Sequence, residues 1–279
     1  MPRSQHAGLF ITFEGVEGCG KSTQARALLE RLRSRGISAI LSREPGGTPV
    51  GEQCRAILLD TGNAGMQSAT ELFLYLASRA EHVSNIIIPG LEAGNVVISD
   101  RFGDASVAYQ GGGRGLGTET VEALNQVATS GVKPDVTFLM DLDPREGLSR
   151  LIKGRGEHAR DRIENEVLEF HERVREAYLQ SSRREPGRFV VIDARLSREE
   201  VEAQIASVEK ILDELELGGV PRLLVLNKLD RADGAVTRAL ARKHKGVAVS
   251  ALRRDTLGDL LQRLEEMAFV SPPTRWGEQ

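Results

Sequence analysis

Short continuous apolar runs alternate along the chain with longer stretches in which apolar residues recur every three or four positions. The runs lie at Leu9–Glu14, Ser38–Arg43, Asn95–Asp100, Asp135–Asp143 and Arg188–Asp193. They do not alternate apolar with polar, which is how strands read when helices cover both faces of a parallel sheet. Helical patterns lie between them at Lys21–Arg35 (stopped by Gly36), Thr70–Asn85 and Asn165–Ser182. This βα succession predicts a three-layer α/β fold with right-handed crossovers. Gly111–Gly117, GGGRGLG, is too rich in glycine for regular structure and is expected as a loop. Lys153–Arg162, KGRGEHARDR, is polar, basic and broken by glycine, which by pattern alone is a solvated loop. After Arg195 a helical pattern continues to about Leu217, where GGVP breaks it. A second βαβα unit follows at Arg222–Asn227, Ala235–His244, Val247–Ser250 and Leu257–Met267, and the last residues, SPPTRWGEQ, read as frayed. The pattern therefore predicts two domains, residues 1–217 and 218–279, the second a small half-domain.

Charge follows the same division. From Gly219 onward there are 11 basic and 7 acidic residues, net +4, whereas the first 218 residues carry 26 and 33, net −7. The whole chain, at 279 residues and net −3, gives no argument for nucleic-acid binding. Two cysteines, Cys19 and Cys54, cannot build a disulfide framework or a cysteine-rich zinc site. No apolar run approaches the roughly 18–20 residues that span a bilayer, and no cleavable signal is visible, so a cytoplasmic location is expected.

The chemistry begins at Gly15–Ser22, GVEGCGKS, which fits G-x-x-x-x-G-K-[ST] between a strand and a helix. Glycines let backbone N–H groups wrap a phosphate chain, and the helix N-terminus adds partial positive charge. In such a loop Lys21 reaches the β- and γ-phosphates and the Ser22 hydroxyl can ligate Mg²⁺. The fold expected is thus that of a P-loop NTPase, with Gly15, Val16, Glu17, Gly18, Cys19, Gly20, Lys21, Ser22 and Thr23 holding the nucleotide.

Residues from about Leu9 to Ile205 resemble the thymidylate kinases. The resemblance rests on FEGVEGCGKST, REPGGTPVGE (Arg43–Glu52), LFLYLASRAEH (Leu72–His82), ISDRFGDASVAYQGGGRG (Ile98–Gly115), PDVTFLMDLDP (Pro134–Pro144), and DRIE with FHERVREAYL, in that order. It implies transfer of the γ-phosphoryl of ATP to dTMP, with Mg²⁺, in a homodimer. It also implies Arg101 and Arg43 on the dTMP phosphate, Asp100 in the Mg²⁺ shell through water, Tyr75 stacked on thymine, and Arg79 on a base carbonyl. Tyr109 and Gln110 would line the nucleoside pocket, with Ser106 beside the base and Glu17 facing the 3′-hydroxyl. Phe73, two residues from Tyr75, is expected in the core. The family commonly has serine where this chain has Ala105. This phosphate loop carries no arginine, so the cations on the transferred group would come from a lid: Arg150, Lys153, Arg155, Arg160 and Arg162, with Arg155 foremost. Lys21, Arg101 and Arg155 are then the expected catalytic set. A kinase for another pyrimidine nucleoside monophosphate is the alternative.

The tail resembles the guanine-specifying half of HflX-like GTPases, through LLVLNKLD at Leu223–Asp230 and VSAL at Val249–Leu252. In such GTPases Asp230 would pair with guanine, Lys228 would pack over the ring beside Asn227, and Ser250 and Ala251 would contact O6. The tail has no phosphate loop of its own, so a fragment retained for packing is expected. A GTP-sensing or partner-docking module is the alternative.

Overall fold

The computed structural model describes residues 8–155 and 160–207, and the short strands at 225–226 and 247–248. Two compact units divide the chain, Met1–Lys210 and Ile211–Gln279. Within the second, β6 (Val225–Leu226) pairs in parallel with β7 (Val247–Ala248).

The first unit is built on a five-stranded, all-parallel sheet. Its strands are β1 (Leu9–Glu14), β2 (Ala39–Arg43), β3 (Val96–Asp100), β4 (Val136–Asp141) and β5 (Phe189–Asp193), in the order β2-β3-β1-β4-β5. Every residue of β1 is buried, as expected of the central strand with helices on both faces. The helices are α1 (Lys21–Ser34), α2 (Pro49–Leu59), α3 (Ser68–His82), α4 (Ile88–Glu92), α5 (Gly103–Ser106), α6 (Thr118–Ala128), α7 (Pro144–Arg155), α8 (Leu168–Arg184) and α9 (Arg198–Ser207). One core lies between β1, β3 and the segment after α3, where Phe10 meets Phe102 edge-on at 4.9 Å beside Val83, Ile87 and Leu91. Another joins α3 to α6 through Leu72, Leu76 and Val121.

Register decides what reaches the sheet's C-terminal edge. Phe13 of β1 and Arg43 of β2 both lie opposite Asp100, the last residue of β3. The phosphate loop after β1, the Arg43 loop after β2 and Arg101 after β3 therefore leave the sheet side by side, where ligands bind in open α/β sheets.

Two expectations fail here. Gly111–Gly113 are not loop: they end a π-helical segment, Val107–Gly113, that continues α5. A Cβ on Gly112 would stand 2.6 Å from the Ala177 Cβ, and one on Gly113 2.7 Å from Phe170 Cε2. These glycines bring this segment against α8, so their signal is close approach rather than freedom. Phe73 is not core but 59% exposed on α3, while Leu72 and Leu76 face inward.

Candidate active site

The phosphate loop is fixed by its surroundings. Gly15 (φ 138°) and Gly18 (φ 69°) adopt conformations that favour glycine, and a Cβ on Gly18 would fall 2.1 Å from the Gly147 carbonyl oxygen. Val16 and Cys19 turn inward, buried, leaving the loop backbone to face the cavity. Lys21 Nζ donates to the carbonyl oxygens of Val16 at 2.7 Å and Gly15 at 3.2 Å, and lies 3.4 Å from Cys19 Sγ. Ser22 Oγ donates to Asp100 Oδ2, joining the first turn of α1 to the end of β3.

Arg101 has a left-handed backbone, φ 73°, a conformation costing a non-glycine residue about 1–2 kcal/mol. Strain of that kind persists only where neighbours over-determine it. Its N–H donates to the Phe13 carbonyl at 3.0 Å and its carbonyl accepts from Ser99 Oγ at 2.7 Å. Its guanidinium donates to Glu17 Oε2 at 2.7 Å and the Gly15 carbonyl at 2.9 Å, and lies 4.9 Å from the centre of the Tyr109 ring. Tyr109 donates in turn to Glu17 Oε1 at 2.7 Å. Burial pushes the Glu17 carboxyl up, but the charges of Arg101 and Lys21 outweigh it and hold the group down at about 2. The carboxylate in the loop is therefore compensated by the cations around it.

A cavity of about 480 Å³ opens over these groups, within the size range of nucleotide-sized sites. Its lining includes Glu17, Gly18, Gly20, Lys21, Ser22 and Thr23 of the phosphate loop and α1. Arg43, Asp100 and Arg101 join them from the ends of β2 and β3. Tyr75, Ala105, Ser106, Tyr109 and Gln110 line it too, and Arg150 reaches it from α7. The Tyr75 hydroxyl is pushed up by burial, so it stays protonated. Arg43 makes an exposed ion pair, one nitrogen 2.9 Å from both Glu52 oxygens, and such pairs exchange readily for a ligand.

Arg79 and Arg162 are placed otherwise than expected. Arg79 lies behind the wall, 1% exposed. It donates to Glu44 Oε2 (2.8 Å), Ser106 Oγ (2.9 Å), Asn125 Oδ1 (2.6 Å) and the Phe102 carbonyl (2.9 Å), so one Nη2 hydrogen remains. Arg162 is no free lid cation: it is 4% exposed, with Nε on the Leu58 carbonyl and Nη1 2.7 Å from Glu71. Arg150 is tied to Glu146 at 2.6 Å and the Ala194 carbonyl at 3.0 Å, and Lys153 is exposed on α7 away from the cavity. Arg160 is half-buried with Nε unpartnered. The side chain of Arg155 lies outside the described residues, as do Asn227, Lys228, Asp230, Ser250 and Ala251.

Several residues given no role by the sequence reading emerge. Arg55 joins Arg43 on the cavity wall, its guanidinium pushed down by burial and by the Arg43 charge. Glu44 binds both Arg79 and His82 (2.9 Å) beneath the Arg43 loop. Glu71, fully buried one turn before Tyr75, accepts from Gln110 at 2.8 Å, Arg114 at 2.9 Å and Arg162. Among the described residues no cluster of three His, Cys, Asp or Glu could hold a metal. Ser22 and Asp100, joined to each other and both on the cavity lining, are oxygen donors of the kind Mg²⁺ takes one or two of, with water and phosphates completing its shell.

A family model described as Thymidylate kinase matches residues 13–205. A thymidylate kinase of Desulfosudis oleivorans is 50% identical over 210 residues, covering 74% of this chain and 98% of that protein. One of Pelobacter propionicus is 49% identical over 205 residues, covering 72% and 94%. The crystal structure of thymidylate kinase from Ehrlichia chaffeensis superposes with a TM-score of 0.59 at 34% identity, over 73% of this chain and 98% of that one.

Proposed function

The chain belongs to the thymidylate kinase family and phosphorylates dTMP to dTDP, and we propose that Arg101, the phosphate loop and Tyr75 divide that work with MgATP as donor. The observation that carries this reading is Arg101, held in a strained conformation between the phosphate loop and the nucleoside wall. The loop N–H groups and Lys21 hold the β- and γ-phosphates of ATP. Ser22 and Asp100 would hold Mg²⁺, which supplies neutralising charge between the phosphates. Arg101, with Arg43 and Arg55, fixes the dTMP phosphate, for which a planar fork suits bidentate contact. Tyr75 stacks on the base, while Ser106 and Gln110 address its polar edge and Arg79 holds Ser106 from behind. Glu17 and Tyr109 bracket the deoxyribose. The acceptor is already an anion, so positioning and charge suffice and no general base is required. Arg155 and Arg160, with Arg150, would bring further cations to the transferred group. The exposed Val50, Ile57, Phe73 and Val127 would be covered in a homodimer, which sedimentation would show as twice the 30.5 kDa chain mass.

Arg101→Ala tests the reading directly. Removing the charged fork should raise the dTMP KM about 10–100-fold with the ATP KM within about twofold. An unchanged dTMP KM would take Arg101 out of the site.

The tail reads best as a packing fragment related to the guanine-specifying half of an HflX-like GTPase. Val225–Leu226 pairs in parallel with Val247–Ala248, as two neighbouring strands of such a half-domain would. Calorimetric titration of GTP and GDP into the whole chain should give no heat beyond the ATP site; saturable binding that ATP does not displace would favour the sensing module.

A further inference from the structure

Glu14 is the last residue of β1, wholly buried, and takes no place on the cavity wall. A buried carboxylate is expensive unless its oxygens are used. Both are. Oε1 accepts from the Phe102 N–H at 2.7 Å, and Oε2 from the Tyr178 hydroxyl at 2.7 Å. Phe102 directly follows the strained Arg101. The Tyr178 hydroxyl, brought in from α8 and 1% exposed, accepts in turn from Arg101 Nη1 at 3.3 Å. One carboxyl group thus holds the peptide after Arg101 and, through a phenol, one nitrogen of its fork.

We propose that Glu14 and Tyr178 are positioning residues for Arg101, fixing its left-handed backbone and the plane of its guanidinium so that the fork is set before dTMP arrives. Three further observations agree. The peptide on each side of Arg101 is gripped, by Phe13 before it and by Ser99 and Glu14 after it, which is what a strained φ needs. The Tyr109 and Tyr178 rings meet edge-on at 6.2 Å, so the ring over the Arg101 guanidinium and the phenol at its nitrogen brace each other. Arg101 is also placed by groups from β1, the phosphate loop, the π-helical segment and α8, and Tyr178 is the only one of those contacts from α8.

The proposal rests on the reading that Arg101 binds the dTMP phosphate, and the test separates the two. Tyr178→Phe removes one hydroxyl and keeps the packing. Glu14→Gln keeps an acceptor for the Phe102 N–H but replaces the oxygen that accepts from the Tyr178 hydroxyl with an amide nitrogen that cannot accept. Each should raise the dTMP KM about 5–10-fold, with the ATP KM within about twofold, because one hydrogen bond of the array is lost. In an Arg101→Ala background the same substitutions should change the dTMP KM by less than about twofold, since partners acting through one group are not additive. An equal penalty in both backgrounds, or none in the native background, overturns the positioning role. Failure of Arg101→Ala alone to affect dTMP sinks the phosphate assignment instead. If Glu14→Gln does not fold, Tyr178→Phe decides the matter unaided.

Discussion

Glu14 and Glu17 lie on either side of Gly15 and Val16, both are largely removed from water, and both serve Arg101, yet their carboxyls are displaced in opposite directions. Burial raises Glu14 to about 8, the nearby Asp104 charge adds to the rise, and Arg101 and the hydrogen bonds from Tyr178 and Phe102 recover only part of it. Burial acts on Glu17 too, but a guanidinium nitrogen 2.7 Å away and the Lys21 charge bring it to about 2. The difference is one of contact. Glu17 meets the cation directly and stays charged among phosphate-binding groups. Glu14 meets it through a neutral hydroxyl and a peptide, and can hold Arg101 in place without competing for its charge.

The largest expected effect comes from Lys21→Ala, which removes a cation that lowers Glu17 and is not among the causes acting on Glu14. Turnover should fall about 10²–10³-fold or more, the loss seen when one preorganised donor to a developing charge is deleted. The folded structure, followed by circular dichroism, should persist. The Glu17 carboxyl should move up in a carbon-13 titration while Glu14 stays where it is. Equal movement of both would erase the distinction.

A smaller effect concerns stability against pH. Glu14 keeps its proton longer in the folded chain than in the unfolded one, so its contribution falls as pH rises from about 4.5 to about 8. Glu17 does the reverse: its contribution is complete above about 4.5 and fades as pH drops toward about 2. Urea unfolding midpoints should therefore decline between pH 5 and 8 in the native chain more than in Glu14→Gln. Parallel curves would contradict the Glu14 environment.

What could be read from the sequence was mostly local. The strand–loop–helix context of GVEGCGKS marks the loop without tertiary knowledge, and β1 matches its apolar run at both ends. Arg101 is legible through the family resemblance, in ISDRFGDASVAYQGGGRG. Glu14 and Tyr178 are not, since their meaning lies in a contact spanning 164 residues. Gly111–Gly113 misled because glycine-richness looks the same whether a backbone must bend or a neighbouring helix must come close. Arg162 reads as a lid cation because it closes a basic run, and only the fold places Glu71 beside it. Helical phase relative to Tyr75 places Phe73 in the core, but α3 presents that side to solvent.

The central claim is that this cavity selects dTMP. ADP release by the purified chain, coupled to a spectroscopic readout and compared across dTMP, dUMP, dCMP, UMP and GTP, tests it most directly. The account predicts the highest kcat/KM with dTMP, by about tenfold or more over dCMP, which presents the wrong hydrogen-bonding edge to a fixed polar wall. Equal kcat/KM for dTMP and dCMP would contradict it.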